Sequence, residues 1–227
     1  SGLKISQNAV FAQHLNQYPT IFLNMQEFLS RTGDVDKLID RIKKLVIREL
    51  KAEHPDVDYF DDTDLVESMQ DIYREKKIPF VVIIDEWDVL IRDMAANSKI
   101  QDEYISFLRG LFKGTEPTKY IQLAYLTGIL PVKKDVTQSA LNNFKQYSML
   151  SAGPLASYVG FTEEEVKKLC MRYDQNFEEV KRWYDGYQLG DYHVYNPNAV
   201  VSLMLEGDFQ SYWSGTASYE TIVPLIN

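Results

Sequence analysis

The sequence predicts an α/β fold built on a parallel sheet, and three observations predict it. The run Phe80-Val81-Val82-Ile83-Ile84 is apolar without alternation, the pattern of a strand covered on both faces. Two other apolar runs, 21–23 and 121–126, are separated from it by stretches of helical periodicity, and strands alternating with long helices imply a doubly wound core. The 227 residues are 45% hydrophobic and 25% charged, enough apolar material for one large domain, or for a core with a smaller satellite.

Taken in order, Tyr18-Pro19-Thr20-Ile21-Phe22-Leu23-Asn24 reads as a short buried strand, opened by proline and closed by a polar residue. Asp34 is placed to cap a helix whose apolar face is Val35, Leu38, Ile39, Ile42, Leu45, Val46 and Leu50, ended by Pro55. Leu65, Met69, Ile72 and Tyr73 mark a second helix that stops before Pro79. The central strand leads into Asp85-Glu86-Trp87-Asp88. A helix follows with Ile100, Tyr104, Phe107, Leu108, Leu111 and Phe112 inward, and the strand 120–126 ends in Thr127-Gly128.

Beyond about residue 150 the pattern changes, so residues 1–150 are predicted to form the core and residues 151–227 a helical subdomain. Phe161-Thr162-Glu163-Glu164-Glu165-Val166 is a helix start, with Thr162 as cap, Glu165 as capping-box partner and Phe161 stapled on Val166. Phe177, Val180, Trp183, Tyr184 and Tyr187 predict a second helix. Asn196 and Pro197 open a third, which Gly207 stops.

The formal net charge of −9 argues against a broad nucleic-acid footprint, which needs clustered Lys and Arg, but leaves room for one local basic patch. One cysteine, Cys170, rules out an intrachain disulfide and fits a reducing compartment. With no secretory signal and no apolar run of the roughly 18 residues needed to cross a bilayer, a cytoplasmic location away from membranes is expected. The chain opens on Ser1-Gly2 and closes on an apolar run, 221–226, so it is expected to be a piece of a longer protein.

The strongest chemical signal is Val82-Ile83-Ile84-Asp85-Glu86. In P-loop ATPases a buried strand delivers two acids to the carboxyl end of the sheet, one to hold magnesium and one to orient or deprotonate water. A buried strand ending in two solvated acids is the alternative. Thr127, at the end of the next strand, is placed to sense a terminal phosphate, or merely opens a turn before Gly128. His14, His54 and His193 lack ligand spacing, and Cys170 falls on an apolar helix face. The aromatic group Trp183, Tyr184, Tyr187, Tyr192 and Tyr195 reads as core packing before base stacking. No Gly-x-x-x-x-Gly-Lys-Ser/Thr occurs, so the backbone nest and lysine that cradle phosphates are missing.

The run Gly2-Leu3-Lys4-Ile5-Ser6 with Tyr18-Pro19, then Val82 to Asp88 and Thr127-Gly128-Ile129-Leu130-Pro131-Val132, resembles the bacterial predicted AAA-ATPase (AAA-ATPase-like) family. So do Ser139-Ala140-Leu141-Asn142-Asn143, the helix start 160–166, Trp183-Tyr184-Asp185-Gly186-Tyr187 and Val194-Tyr195-Asn196-Pro197. The resemblance implies an AAA-type P-loop core followed by a helical lid, here without the first strand and phosphate loop that family members carry upstream. It implies Asp85 assisting Mg2+, Glu86 activating water, Thr127 sensing the γ-phosphate, and Asp185 and Gly186 approaching the nucleotide from the lid. ATP and Mg2+ are then ligands of the intact parent, with none expected on this chain alone. The implied partner is a nuclease-like domain of the parent chain, with nucleic acid reached only through that domain; the resemblance leaves the oligomeric state open. The competing expectation is a non-catalytic P-loop relative serving as a scaffold.

In AAA-type sheets the first strand lies between the fifth and the fourth, with the third and second beyond. The strands at 21–24, 81–85 and 121–127 correspond to the second, third and fourth, and a short fifth is expected at 147–150. A missing first strand leaves the 121–127 strand with an apolar edge, and open edges invite pairing. The gap is therefore expected to be filled by the fifth strand, by the 3–6 segment, or by a neighbouring chain.

Overall fold

A computed structural model describes residues 3–94, 97–130 and 141–212. Gly2, Pro131, Val132, Ser139, Ala140 and the apolar run 221–226 lie outside the described residues. The chain divides into two compact units, 1–145 and 146–227. No helix among the described residues is long and apolar enough to cross a membrane.

The first unit runs β1 (Thr20–Asn24), α1 (Met25–Arg31), α2 (Leu38–Glu53), α3 (Leu65–Lys76), β2 (Phe80–Asp85), α4 (Val89–Asp93), α5 (Ser98–Phe112), α6 (Pro117–Tyr120) and β3 (Ile121–Leu126). The three strands form one parallel sheet in the order β1-β2-β3, with Leu23 opposite Ile84 and Ile84 opposite Leu126. That order matches the predicted succession of second, third and fourth strands. The side chains of Leu23, Val82 and Ile84 are buried, in one cluster with Leu38, Ile42 and Val46 of α2, Met69 and Ile72 of α3, and Ile100, Tyr104 and Leu108 of α5.

Helix boundaries follow local chemistry. Asp64 caps α3 by accepting from the N–H groups of Val66 and Glu67, and Lys77 ends it in the left-handed region. Asp34 does not cap as expected. Residues Val35–Lys37 form a 3-10 turn before α2, and the Asp34 carboxylate pairs with Lys37 at 2.8 Å instead.

Two expectations about the sheet are not met within the described residues of this chain. Burial in β2 alternates residue by residue, so among the described residues one face is buried and the other, the more open one, is half-buried. On the open face Phe22, Ile83 and Tyr125 lie in one cross-strand row, with Phe22 59% and Tyr125 44% exposed. Among the described residues, the apolar run of β2 goes with its central position between β1 and β3. The outer edge of β3 is not filled either. The 3–6 segment enters a 3-10 turn, Lys4–Gln7, and 147–150 makes only an isolated bridge between Ser148 and Ser151. Among the described residues β3 pairs with β2 alone.

The second unit is not purely helical. Its strands β4 (Phe161–Thr162), β5 (Asp185–Leu189) and β6 (Tyr192–Tyr195) form an antiparallel sheet in the order β4-β6-β5, packed with helices α7 (Glu163–Tyr173), α8 (Phe177–Tyr184) and α9 (Pro197–Glu206). The expected capping box at Thr162 and Glu165 is present. Asn196 caps α9, Pro197 opens it, and Gly207, at φ +83°, ends it. Helix α8 stops at Tyr184, and Tyr187 belongs to the hairpin β5–β6. Tyr184 and Tyr195 are core, whereas Trp183, Tyr187 and Tyr192 are exposed, so the aromatic group is only partly packing. Cys170 is buried, and burial pushes its thiol pKa up.

The open edge makes a direct prediction. The amide of Thr127 donates to the carbonyl of Ile84, so strand alternation aims the amides of Leu123 and Tyr125 at β2 and those of Gln122, Ala124 and Leu126 outward. Hydrogen exchange by NMR is expected to be roughly tenfold or more faster at the outward set. Equal protection of both sets would mean that a strand covers this edge in solution.

Candidate functional site

Parallel strands bring their carboxyl ends to one side of a sheet, and here β1 and β2 end in a polar residue and β3 is followed by one. Asn24 lies opposite Asp85 in the β1–β2 register, and its Nδ2 donates to Asp85 Oδ2 at 3.3 Å. Thr127 follows β3, and its Oγ1 donates to Asp85 Oδ1 at 2.5 Å. The amide of Glu86 also donates to Asp85 Oδ1, at 3.1 Å. One carboxylate thus joins the ends of all three strands. Asp85 and Thr127, both predicted as site residues, are brought into contact, with Glu86 on the turn beside them.

That turn leaves the sheet sharply. Glu86 sits at φ +52°, in the left-handed region, and Trp87 donates its amide to the carbonyl of Thr127 at 3.0 Å. Tyr104, fully buried on α5, donates its hydroxyl to the carbonyl of Trp87 at 2.6 Å. Burial, and secondly the charge of Asp88, push the Tyr104 phenol well above its ordinary range, so it remains a donor.

Sequence reasoning missed three members of this arrangement. Asn24 was read as the polar end of a strand; its position at the mouth of an apolar run was the same signal that marked Asp85. Asp88 is 0% exposed, and its Oδ2 accepts from the amides of Ile129 at 3.2 Å and Leu130 at 2.7 Å. It clamps the segment after Thr127 onto the acidic turn. Arg92 of α4 reaches Asp93 at 2.9 Å, Glu86 at 3.5 Å and Asp88 at 3.7 Å. Partial burial lowers the Arg92 pKa, but the carboxylates of Asp93, Asp88 and Glu86 outweigh this and raise it overall. The i,i+4 spacing of Asp88 and Arg92 was a signal for that pair, whereas the contact of Arg92 with Glu86 has none.

The oxygens facing one another at the strand ends are the Asp85 carboxylate and the Thr127 hydroxyl, while Asn24 presents its NH2, its own oxygen being held by the amide of Glu27. Carboxylate and hydroxyl oxygens are chemistry for a hard, oxygen-loving cation such as Mg2+, which takes one or two carboxylates and completes its shell with water and phosphate. Among the described residues no group of three or more His, Cys, Asp or Glu side chains is placed to hold a metal alone. Asp85 therefore fits as a partial ligand and not as a closed site. Asp185 and Gly186 open β5 in the second unit, where Asp185 lies 3.3 Å from His193 Nδ1.

Gly128 has no room for a side chain. A Cβ there would sit 2.4 Å from Asp88 Oδ1 and 2.7 Å from Trp87 Cδ1, both on buried residues. Gly128→Ala is expected to destabilise the first unit by about 1–3 kcal/mol through overpacking, read by urea denaturation. A wild-type midpoint would show that the clamp at Asp88 yields freely.

The family model described as "Predicted AAA-ATPase" matches residues 1–137. A protein of Azotobacter chroococcum mcd 1, described as an uncharacterized protein in the vnfD 5'region, is 28% identical over 149 residues. The match covers 64% of this chain and 28% of the length of that protein. No solved structure matches. The family model covers more than half of the chain and takes in β1, β2, β3, Asp85, Glu86 and Thr127: the chain belongs to the predicted AAA-ATPase family.

Proposed function

We propose that this chain is the acid-bearing part of a P-loop ATPase module. The observation that carries the reading is the joint at Asp85, where the ends of three parallel strands in the order β1-β2-β3 converge on one carboxylate. In this reading Asp85 helps hold Mg2+, Thr127 detects the γ-phosphate through the hydroxyl that now donates to Asp85, and Glu86 orients water. Bound Mg2+ would neutralise phosphate charge. The chain's own residues do the positioning: Asn24 and Thr127 aim the Asp85 carboxylate, Asp88 fixes the segment after Thr127, and Arg92 holds Glu86.

The open edge of β3 and the exposed row Phe22, Ile83 and Tyr125 support the reading from another side. A phosphate-loop strand beside β3, followed by its helix across that row, would satisfy both. Asp185 and Gly186 enter as nucleotide contacts through the resemblance alone. An attached nuclease-like domain is the partner we propose for the longer protein, of which a relative is more than three times the length matched here. The scaffold reading is separated from it by the parent gene: an in-frame Gly-Lys-Ser/Thr upstream of Ser1 favours the ATPase, and a parent without one favours the scaffold.

Two measurements separate the readings. The 227-residue chain alone is expected to bind Mg-ATP more weakly than the micromolar range in titration calorimetry, since it lacks the phosphate donors. A micromolar dissociation constant would refute this. In the full gene product, Glu86→Gln is expected to slow ATP turnover by about 10²- to 10⁴-fold with ATP affinity retained. Turnover at the wild-type rate would remove Glu86 from the chemistry, and no turnover by the parent would favour the scaffold.

A further inference from the structure

Helix α2 carries a feature that nucleotide chemistry does not use. Its core face is Leu38, Ile39, Ile42, Val46, Ile47 and Leu50. On the opposite side Arg41, Lys44, Arg48 and Lys51 follow at spacings of three, four and three, one continuous basic line of about 15 Å at the helical rise. Arg41, Lys44 and Arg48 are exposed. A solvated helix face ordinarily alternates sign, because like charges at these spacings destabilise a helix. Here three successive near-neighbour pairs are like-charged, in a chain with 33 acidic and 24 basic side chains. Arg41, Lys44 and Arg48 have no carboxylate partner among the described residues.

The line borders an open depression of about 370 Å³ lined by Lys44, Ile47, Arg48, Lys51, Asp62 and Thr63. At its far end Asp62, on the segment before α3, sets its carboxylate 2.7 Å from Lys51 Nζ. The chain's own carboxylate thus occupies one position of the line, and Lys44 and Arg48 present the same chemistry with no carboxylate in ion-pair distance among the described residues. Phe60, two residues before Asp62, is 86% exposed, an apolar contact beside the charged one.

We propose that this face of α2 docks an acidic polypeptide segment, with carboxylates at helical spacing laid along Arg41, Lys44 and Arg48. Charge complementarity favours a peptide over nucleic acid. The basic line is one residue wide, with Asp40 one turn before Lys44 and Asp62 in the same depression, and these acids repel a backbone carrying a charge at every nucleotide. Spaced carboxylates meet only the bases. The inference stands independently of ATP hydrolysis.

The test uses the 227-residue chain and three labelled probes of matched length: a peptide with Glu at three-and-four spacing, its Gln counterpart, and a single-stranded oligothymidylate. In fluorescence anisotropy the Glu peptide is expected to bind with an affinity that falls as salt rises, and the Gln peptide not to bind. K44Q/R48Q is expected to weaken the Glu peptide about tenfold or more. Its melting temperature should be unchanged or higher, because like-charge repulsion is relieved. Asp62→Asn, which frees Lys51, is expected to tighten binding about two- to threefold. The proposal is overturned if the Glu peptide fails to bind, if K44Q/R48Q binds it as wild type does, or if the oligothymidylate binds more tightly than the peptide.

Discussion

The carboxylate of Asp85 is the point on which the first unit is organised. A carboxylate at the mouth of a sheet is costly unless hydrogen bonds replace lost water, and Asp85 accepts from Asn24, Thr127 and the amide of Glu86. Each donor comes from a different place in the chain: the end of β1, the segment after β3 and the turn after β2. Satisfying one charge therefore sets the relative ends of three strands. The neighbouring carboxylate of Asp88 continues the arrangement by taking two amides after Thr127, and Arg92 ties Asp88 to Glu86. Strand ends, acidic turn and the segment after β3 are thus joined by one continuous set of hydrogen bonds and ion pairs, from Asn24 to Leu130.

Much of this was legible in the sequence, for reasons that can be named. Asp85, Glu86 and Thr127 stand where apolar strand runs stop, and a strand aims its last residues out of the core. The start of α7 was legible because a capping box is a local, reciprocal pair of hydrogen bonds with fixed spacing. Asn24 escaped because its side chain serves twice, accepting from Glu27 as the cap of α1 and donating to Asp85, and only the first role is local. Asp34 misled because a nearby lysine competes with the helix N-terminus for the same carboxylate.

The misreadings of the sheet and of the second unit have different physical origins. An unbroken apolar run reports that a strand is central, but the cover over its second face is not encoded in the run itself. In the second unit the tyrosines at 184, 187, 192 and 195 suit helix, strand and core equally. The turn Gly190-Asp191, with Gly190 at φ +61°, was the signal for a hairpin between them. Asp185 and Gly186 accordingly open a strand of an antiparallel sheet instead of a lid helix.

The backbone at Glu86 has a consequence of its own. A left-handed residue with a Cβ is strained by about 1–2 kcal/mol, and glycine or asparagine at φ +52° would relieve much of it. The Glu86 carboxylate answers part of that cost by reaching Arg92 at 3.5 Å, next to the buried Asp88. Glu86→Gly would therefore relax the backbone and remove one of the three acids around Arg92, so conformational preference and ion pairing pull on this residue in opposite directions.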